Sequence, residues 1–441
     1  MSGYPTRLTL FSVTLLSVAT ACTYDETLGR DRAPLQRGHL EARWAVTLGG
    51  VCTSAEQLAR DPNGDVLVGG SGQDGEAPIA FIAKLGGLDG AALWSVVVPA
   101  MRLQTMAVSP DGSTYAMTQT TGATTMLKLR PSGSIEWRHE MTGWNDVTPT
   151  LAVAATGELY VGGGFGHTIQ FLDGLVSVSP TESGASSDAV GDAFIAKLDA
   201  NGSVLWGKTF AGPGAQGIGA LAVTEDGVIA TANTYGGAAS FGGMPLQPTG
   251  GNAAAIVKFD ENGTFEWSRA LAVAADESIG DVGLTLDGLD RPMGTGARWM
   301  SDAGDAQLVT WTSTSDHYLA LHETAQPWLI GRPAIASNGM IVGGVSSDSP
   351  TRADVRVLDL DGSMLGGGSY QMAGAPQVDQ GFSLHAFSAT EHQVIAAGTL
   401  SYAVDFGTGL VWSHSASARP DGSPLSGGAD AVVVDLEWVV N

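Results

Sequence analysis

The residues from Gly202 to Thr209 read GSVLWGKT, a literal match to the G-x-x-x-x-G-K-[ST] pattern of phosphate-binding loops. Such a loop needs a buried strand, a glycine-rich turn and then a helix whose first amides face the phosphates. Here Ser203, Val204, Leu205 and Trp206 have strand character, and the following FAGPGAQGIG cannot open a helix. The match is therefore expected to be the surface of a strand with no nucleotide chemistry. The acidic turns DPNG (61–64), DENG (260–263) and DLDG (359–362) lack the spacing of a calcium loop and read as hairpin turns. The eight histidines, His39, His139, His167, His317, His322, His385, His392 and His414, contain no H-x-x-x-H or H-E-x-x-H pair. His317 and His322 lie five apart in a predicted strand, on opposite faces. No G-x-S-x-G nucleophile elbow occurs. No catalytic residue, metal ligand or cofactor is expected from local motifs; a site assembled across separate strands at a shared axis stays open.

The composition agrees with a strand-and-turn protein: 61 glycines, 15% charged residues and 44% hydrophobic residues in 441. A formal charge of -24 repels phosphate backbones and anionic headgroups, so nucleic acid is excluded as a partner and a soluble monomer is expected.

The amino terminus carries Arg7 and then an uncharged run, LTLFSVTLLSVATA, from Leu8 to Ala21. It is too short for a membrane span and suits a signal peptide over residues 1–21. Ala19-Thr20-Ala21-Cys22 resembles a bacterial lipobox and also satisfies a plain A-x-A cleavage site. Lipidation at Cys22 is favoured, because Cys52 is the one other cysteine. Acylation leaves Cys52 as a buried thiol; secretion without lipid would allow a Cys22–Cys52 disulfide. Residues 22–39 then form a flexible tether, and the location expected is the cell envelope, lipid-anchored at the outer membrane or cell surface, with secretion as the alternative.

Internal repetition organises the rest. DAFIAKLDANGSVLW (192–206) is echoed at 253–267, 79–94, 123–137 and 352–365, each an apolar strand, a Gly-containing turn and a second strand, usually with Trp. A second hairpin type alternates with it in seven copies, among them LARDPNGDVLVGG (58–70) and LAVAATGELYVGG (151–163). Each unit thus holds four strands, A to D. Lys84, Lys128, Lys197 and Lys258 recur at one place in strand C, which predicts a structural job such as covering strand surface or pairing between units.

Seven such units predict an all-β, seven-bladed β-propeller with four-stranded antiparallel blades over residues 40–441. The A strands begin near Gln57, Gln104, Thr150, Gly219, Asp281, Pro333 and Ser383, and unit five is the most degenerate. Unit seven ends at strand C, while LEARWAVTL (40–48) is an orphan D strand carrying Trp44. Their pairing would complete the last blade and close the ring.

GELYVGG followed by DAFIAKLDANGSVLW resembles the SBBP-type seven-bladed propeller repeats of bacterial envelope proteins. The resemblance runs over roughly residues 40–441, strongest in units one, three and four. It implies the architecture and carries no catalytic motif.

Strand alternation puts all A–B and C–D turns on one face of the disc and all B–C and D–A connections on the other. The B–C loops of units three (164–191), four (234–252) and seven (400–429) are the long ones, well past hairpin length. GFGHTIQFLDG, TYGGAASFGG and SYAVDFGTG share a look there. Phe165, Phe171, Tyr235, Phe241, Tyr402, Phe406 and Trp412 either furnish a recognition surface or pack on their own blade edge. The function this supports is a non-catalytic binding or scaffold module that meets a protein or glycan on the long-loop face and a membrane only through its lipid. The alternative is a propeller enzyme with an axial site, a quinoprotein-like dehydrogenase or a polysaccharide-degrading protein.

Overall fold

Apolar residues on both faces of a strand force it to lie between two layers, and strands B and C are of that kind. In Asp192–Leu198 every residue is buried, and in Gly227–Tyr235 all but the last. The computed structural model resolves where those two faces go. It describes residues 35–440, apart from residues 50, 75, 122, 142–148, 167–168, 170–190, 248–251, 272–276, 281, 288, 301–306, 314–318, 328–329, 346–350, 374–380 and 414–428. Cys22, Phe171, His167, His317 and His414 lie outside the described residues.

Seven four-stranded antiparallel sheets follow in chain order. Blade one is Val51–Arg60, Val66–Asp74, Ala77–Leu85 and Ala92–Pro99. Blade two is Arg102–Val108, Thr114–Gln119, Thr124–Leu129 and Ile135–Met141. Blade three is Thr150–Val153, Leu159–Phe165, Asp192–Leu198 and Val204–Phe210. Blade four is Ala215–Thr224, Gly227–Tyr235, Asn252–Asp260 and Phe265–Leu271. In blade five the first strand is broken into Glu277–Gly280 and Thr285–Leu286, both paired to Pro292–Met300, and Gln307–Ser313 and Leu319–Pro327 complete it. Blade six is Ile330–Ile335, Ile341–Val345, Arg352–Leu358 and Met364–Gln371.

Blade seven joins the two ends of the chain. Phe382–Ala389 and Gln393–Leu400 are followed by Asp430–Val440, and the fourth strand is Gly38–Leu48, antiparallel to Asp430–Val440 from Gly38↔Val440 to Leu48↔Ala431. The predicted orphan strand closes the ring, starting two residues before Leu40.

The core lies between blades. Seven apolar clusters of the described residues each span one junction: Trp44, Val66 and Val433 between blades seven and one; Leu67 and Ala116 between one and two; Tyr115 and Leu159 between two and three. Tyr160 and Val228 join three to four, Ile229 and Val309 four to five, Leu308 and Ile341 five to six, and Val342 and Val432 six to seven. Neighbouring residues of one strand, Val66 and Leu67 or Val228 and Ile229, thus serve opposite junctions. This period of two explains why the strands read as continuous apolar runs.

A second contact repeats around the ring and explains GSVLWGKT. Trp44, Trp94, Trp137 and Trp206, each on a D strand, donate the indole N–H to a carbonyl in the C–D turn of the next blade: Gly87 at 3.4 Å, Pro131 at 2.9 Å, Ala200 at 3.3 Å and Glu261 at 2.8 Å. The indole lies on the turn glycine. A Cβ added at Gly202, whose φ is 87°, would stand 2.8 Å from His139 and 3.3 Å from Trp137. Gly202 therefore receives blade two, and Trp206 covers Gly263 of blade four, where a Cβ would stand 2.8 Å from the indole. Val204–Phe210 is a strand and Lys208 is exposed on it.

Candidate functional site

The long B–C connections are where the chain departs from the minimal blade, and their aromatics divide into two groups. Phe165 ends strand B of blade three, is 1% exposed and meets Phe194 edge-on at 6.0 Å. Phe241 is buried against Phe210, the last residue of blade three's D strand, at 5.3 Å. Phe406 is buried between Tyr370 of blade six's D strand (5.1 Å) and Phe382 (5.9 Å). These three turn inward, so they serve the core and offer no surface to a ligand. Phe241 and Phe406 each plug the insertion of one blade onto the D strand of the blade before it, which is the reason for the shared sequence look.

Tyr235, 39% exposed, stays outside, as does Trp412, while Tyr402 beside it is half-buried against the core of blades six and seven. Trp412 is 51% exposed and meets Tyr402 edge-on with ring centroids 5.5 Å apart. It ends a small hairpin, Ala403–Asp405 with Leu410–Trp412, inserted between strands B and C of blade seven. The hairpin is pinned on three sides. Asp405 caps its turn by accepting the amides of Gly407 (2.7 Å) and Gly409 (3.2 Å). Val404 bridges Met372, and Ala373 donates its N–H to the Ala403 carbonyl at 2.9 Å, tying the hairpin to blade six. Thr47 of the closing strand donates to the Trp412 carbonyl at 2.9 Å. With Phe406 buried beneath, the indole is held out on a fixed support. Such an amphipathic aromatic face, with its ordering cost already met, is the type of group that dominates binding energies.

The inner A strands carry a polar cluster, which the sequence spacing hides. Strand A bulges at Glu56, Gln104, Gly219 and His385 in blades one, two, four and seven. The His385 ring lies 3.5 Å from Ser54 Oγ of blade one through Nε2 and 3.3 Å from Ser383 Oγ through Nδ1. Burial lowers its pKa, against a bond to the Ala55 backbone. Thr399 donates to Ser54 Oγ at 3.2 Å. Glu56 accepts Ser71 Oγ at 3.1 Å, and Ser71 in turn accepts the Leu103 amide of blade two. Burial raises the Glu56 pKa, opposed by Ser71 and Arg102. The two ring nitrogens of His385 thus each face a serine hydroxyl, Ser54 on blade one and Ser383 on its own strand. The cluster laces blade seven to one and one to two.

Of the recurrent lysines, Lys84, Lys128 and Lys197 are buried and Lys258 is half-buried, and each meets its acid inside its own blade. Lys84 Nζ lies 2.7 Å from Asp61 and 3.0 Å from Asp65; Lys197 lies 3.0 Å from Glu158; Lys258 lies 2.7 Å from Asp226 and 3.1 Å from Glu266; Lys128 lies 3.6 Å from Glu136. Lys128 and Lys197 also sit over the Tyr115 and Tyr160 rings at 5.5 Å. Between units, Lys197 also reaches the Glu261 carbonyl of blade four, at 3.5 Å. The acids come from A–B turns and D strands, brought to the lysine by hairpin geometry.

The acidic turns are capped by their own carboxylates: Asp61 accepts the amides of Asn63 and Asp65, Asp260 those of Asn262 and Thr264, and Asp359 those of Asp361 and Ser363. Among the described residues no group of three or more His, Cys, Asp or Glu side chains is placed to hold a metal.

The lysine pairs set a pH dependence. Hydrogen bonds and charge from Lys84 hold the Asp61 pKa below its ordinary 3.8, against the burial that would raise it. A depressed carboxylate contributes stability that is present above its unfolded value and lost as pH falls through the folded one. Lys84→Met should therefore lower Tm by several degrees at pH 7, with the gap to wild type closing as pH drops below about 4. Thermal melts of both proteins from pH 7 to 3 check this.

No protein-family model matches the chain, and no curated protein does. Among solved structures the chain is similar to a protein of unknown function from Dyadobacter fermentans, at 10% identity and a TM-score of 0.46, covering 91% of this chain and 99% of that one. It is also similar to the RRP9 WD40 repeats, at 15% identity and a TM-score of 0.45 over 90% and 99% of the two chains. A third is the polysaccharide lyase Uly1, at 10% identity and 0.45 over 87% and 90%.

Proposed function

We propose that this chain is a non-catalytic envelope lipoprotein whose seven-bladed propeller works as a binding or scaffold module, meeting a protein or glycan on the face of its B–C insertions. The observation that carries the reading is Trp412, half exposed on a hairpin that Phe406, Asp405, Val404 and Thr47 hold in place. Leu410, 50% exposed, extends the apolar surface on the same hairpin. Opposite, the short A–B and C–D turns are occupied by capping carboxylates and blade-to-blade contacts, which suits a supporting face. The amino-terminal run ending at Cys22 and the SBBP-type repeat resemblance support anchorage at the envelope. The charge of -24 argues against nucleic acid and against direct membrane contact beyond the lipid.

Trp412→Ala tests the reading. On an array of envelope glycans and in solution with isolated envelope proteins, the wild type should bind a partner that Trp412→Ala loses by at least about tenfold, since an anchor aromatic contributes 2 kcal/mol or more. Tm should stay within a few degrees of wild type, because the indole is exposed. Equal binding by both proteins would sink the proposal. Anchorage is tested separately, by metabolic labelling with a fatty acid that Cys22→Ser should abolish.

A further inference from the structure

Strand register aligns one position across the blades, the C-strand residue opposite the D-strand tryptophan. It is Lys84 opposite Trp94, Lys128 opposite Trp137, Lys197 opposite Trp206 and Lys258 opposite Trp267. In blade seven the same register places Asp435 opposite Trp44. The surroundings invert with it. The residue before the tryptophan is Glu136 or Glu266 where it pairs with the lysine, at 3.6 and 3.1 Å, and it is Arg43 in the closing strand, 3.3 Å from Asp435. The residue just before strand B, or opening it, is Asp65 or Glu158, 3.0 Å from the lysine, and it becomes Gln393, whose amide donates to both Asp435 oxygens at 2.7 Å. Arg60 of blade one donates to the Gln393 side-chain oxygen, Oε1, at 2.9 Å, so the inverted set also grips the next blade. Asp435 is fully buried, whereas Arg43 is one-third exposed.

We infer that this inverted ion pair is an address that directs the amino-terminal strand to the last blade. The closing strand must find a partner that follows it by almost the whole domain, while every blade exposes a similar C strand during folding. Laid on the C strand of blade two, three or four, Arg43 would set a guanidinium against a lysine ammonium in a partly buried site. The D strands of blades two and four, laid on Asp430–Val440, would set Glu136 or Glu266 against Asp435. Opposite charge in one pairing and like charge in the wrong ones is how near-identical strands are told apart, as in coiled-coil partner choice. Burial of Asp435 makes the penalty for a wrong partner larger than for an exposed pair. The inference concerns assembly of the ring and stands apart from what the insertion face binds.

The test is hydrogen exchange and refolding of the full chain as wild type, Arg43→Glu, Asp435→Lys, and the triple swap Arg43→Glu/Gln393→Glu/Asp435→Lys, which rebuilds the polarity of the other blades. Each single variant should lose about tenfold or more protection at the amides of Gly38–Leu48. The triple swap should regain that protection, whether the singles merely fray or unfold. After dilution from denaturant, however, it should give less closed monomer than wild type, because its closing strand now fits several C strands. Wild-type protection in the singles, failure of the triple swap to restore it, or refolding of the triple swap in wild-type yield would each overturn the proposal. The last result would leave the pair a structural contact without addressing power.

Discussion

Deleting residues 38–48 should abolish the cooperative melt of the whole propeller, leaving no stable six-and-three-quarter-blade remnant. The strand removed buries Leu40 and Trp44 and pairs with Asp430–Val440 along its length. Its loss bares Val432, Val434 and Leu436, all fully buried, and strips the indole from the Gly87–Gly90 turn of blade one. Truncating one buried aromatic costs about 3–5 kcal/mol. The strand combines that with Leu40 and a full ladder, which is comparable to the whole 5–15 kcal/mol margin of a domain. Because each apolar cluster is shared by two blades, an open blade seven also weakens blades six and one. Differential scanning calorimetry of the truncated chain should show no native transition. A melt within a few degrees of wild type would mean that the ring holds without its closing strand.

Gly202→Val should cost about 2–4 kcal/mol, combining a left-handed backbone forced on a β-branched residue with displacement of packed neighbours. The Cβ would enter the space held by His139 and Trp137, whose side chains hydrogen-bond the Ala200 and Asn201 carbonyls at the junction of blades two and three. Lys208→Ala should change stability by no more than about 0.5 kcal/mol, since its side chain is exposed. A phosphate loop would give a different pattern: Lys208→Ala would remove nucleotide binding. Chemical denaturation of the two variants, with a nucleotide-binding assay on the wild type and Lys208→Ala, separates the two. Loss of a bound nucleotide on Lys208→Ala would contradict the reading of GSVLWGKT as a blade junction.

The architecture was legible because its signals are local and repeated. The turn glycines Gly64, Gly112, Gly133, Gly202, Gly263, Gly339 and Gly362 all take positive φ, the conformation that the N-G, D-G and S-G pairs predict, and Gly157 after Thr156 does the same. The orphan Trp44 strand at one end and the missing D strand at the other made the closure visible. Blade five was readable only as degenerate; the break in its first strand between Gly280 and Thr285 has no pattern to announce it.

The insertions were half legible. Their length and aromatic content marked them, but a plug and a platform use the same residue types. Only burial separates Phe241 and Phe406 from Trp412. The contact of His385 with Ser54 joins residues 331 apart in sequence across a bulge, and neither strand periodicity nor spacing reveals it. The recurrent lysines were recognised as structural, yet their acids lie in turns and neighbouring strands that the hairpins fold back. The inverted set was present in the sequence as DAVVVDL beside DAFIAKL, and its meaning needed Arg43 and Gln393 placed around Asp435.

The central claim is that one face of the disc does the binding, and it is tested most directly by site-specific photocrosslinking. A photoreactive amino acid would replace Trp412 on the insertion face or, in a second protein, Ser132 on the exposed C–D turn of blade two, each made in cells of the native host. The account predicts a discrete crosslinked species from position 412, the same on repeated preparations, and none from position 132. Crosslinks from the turn face alone, or equally from both positions, would contradict it.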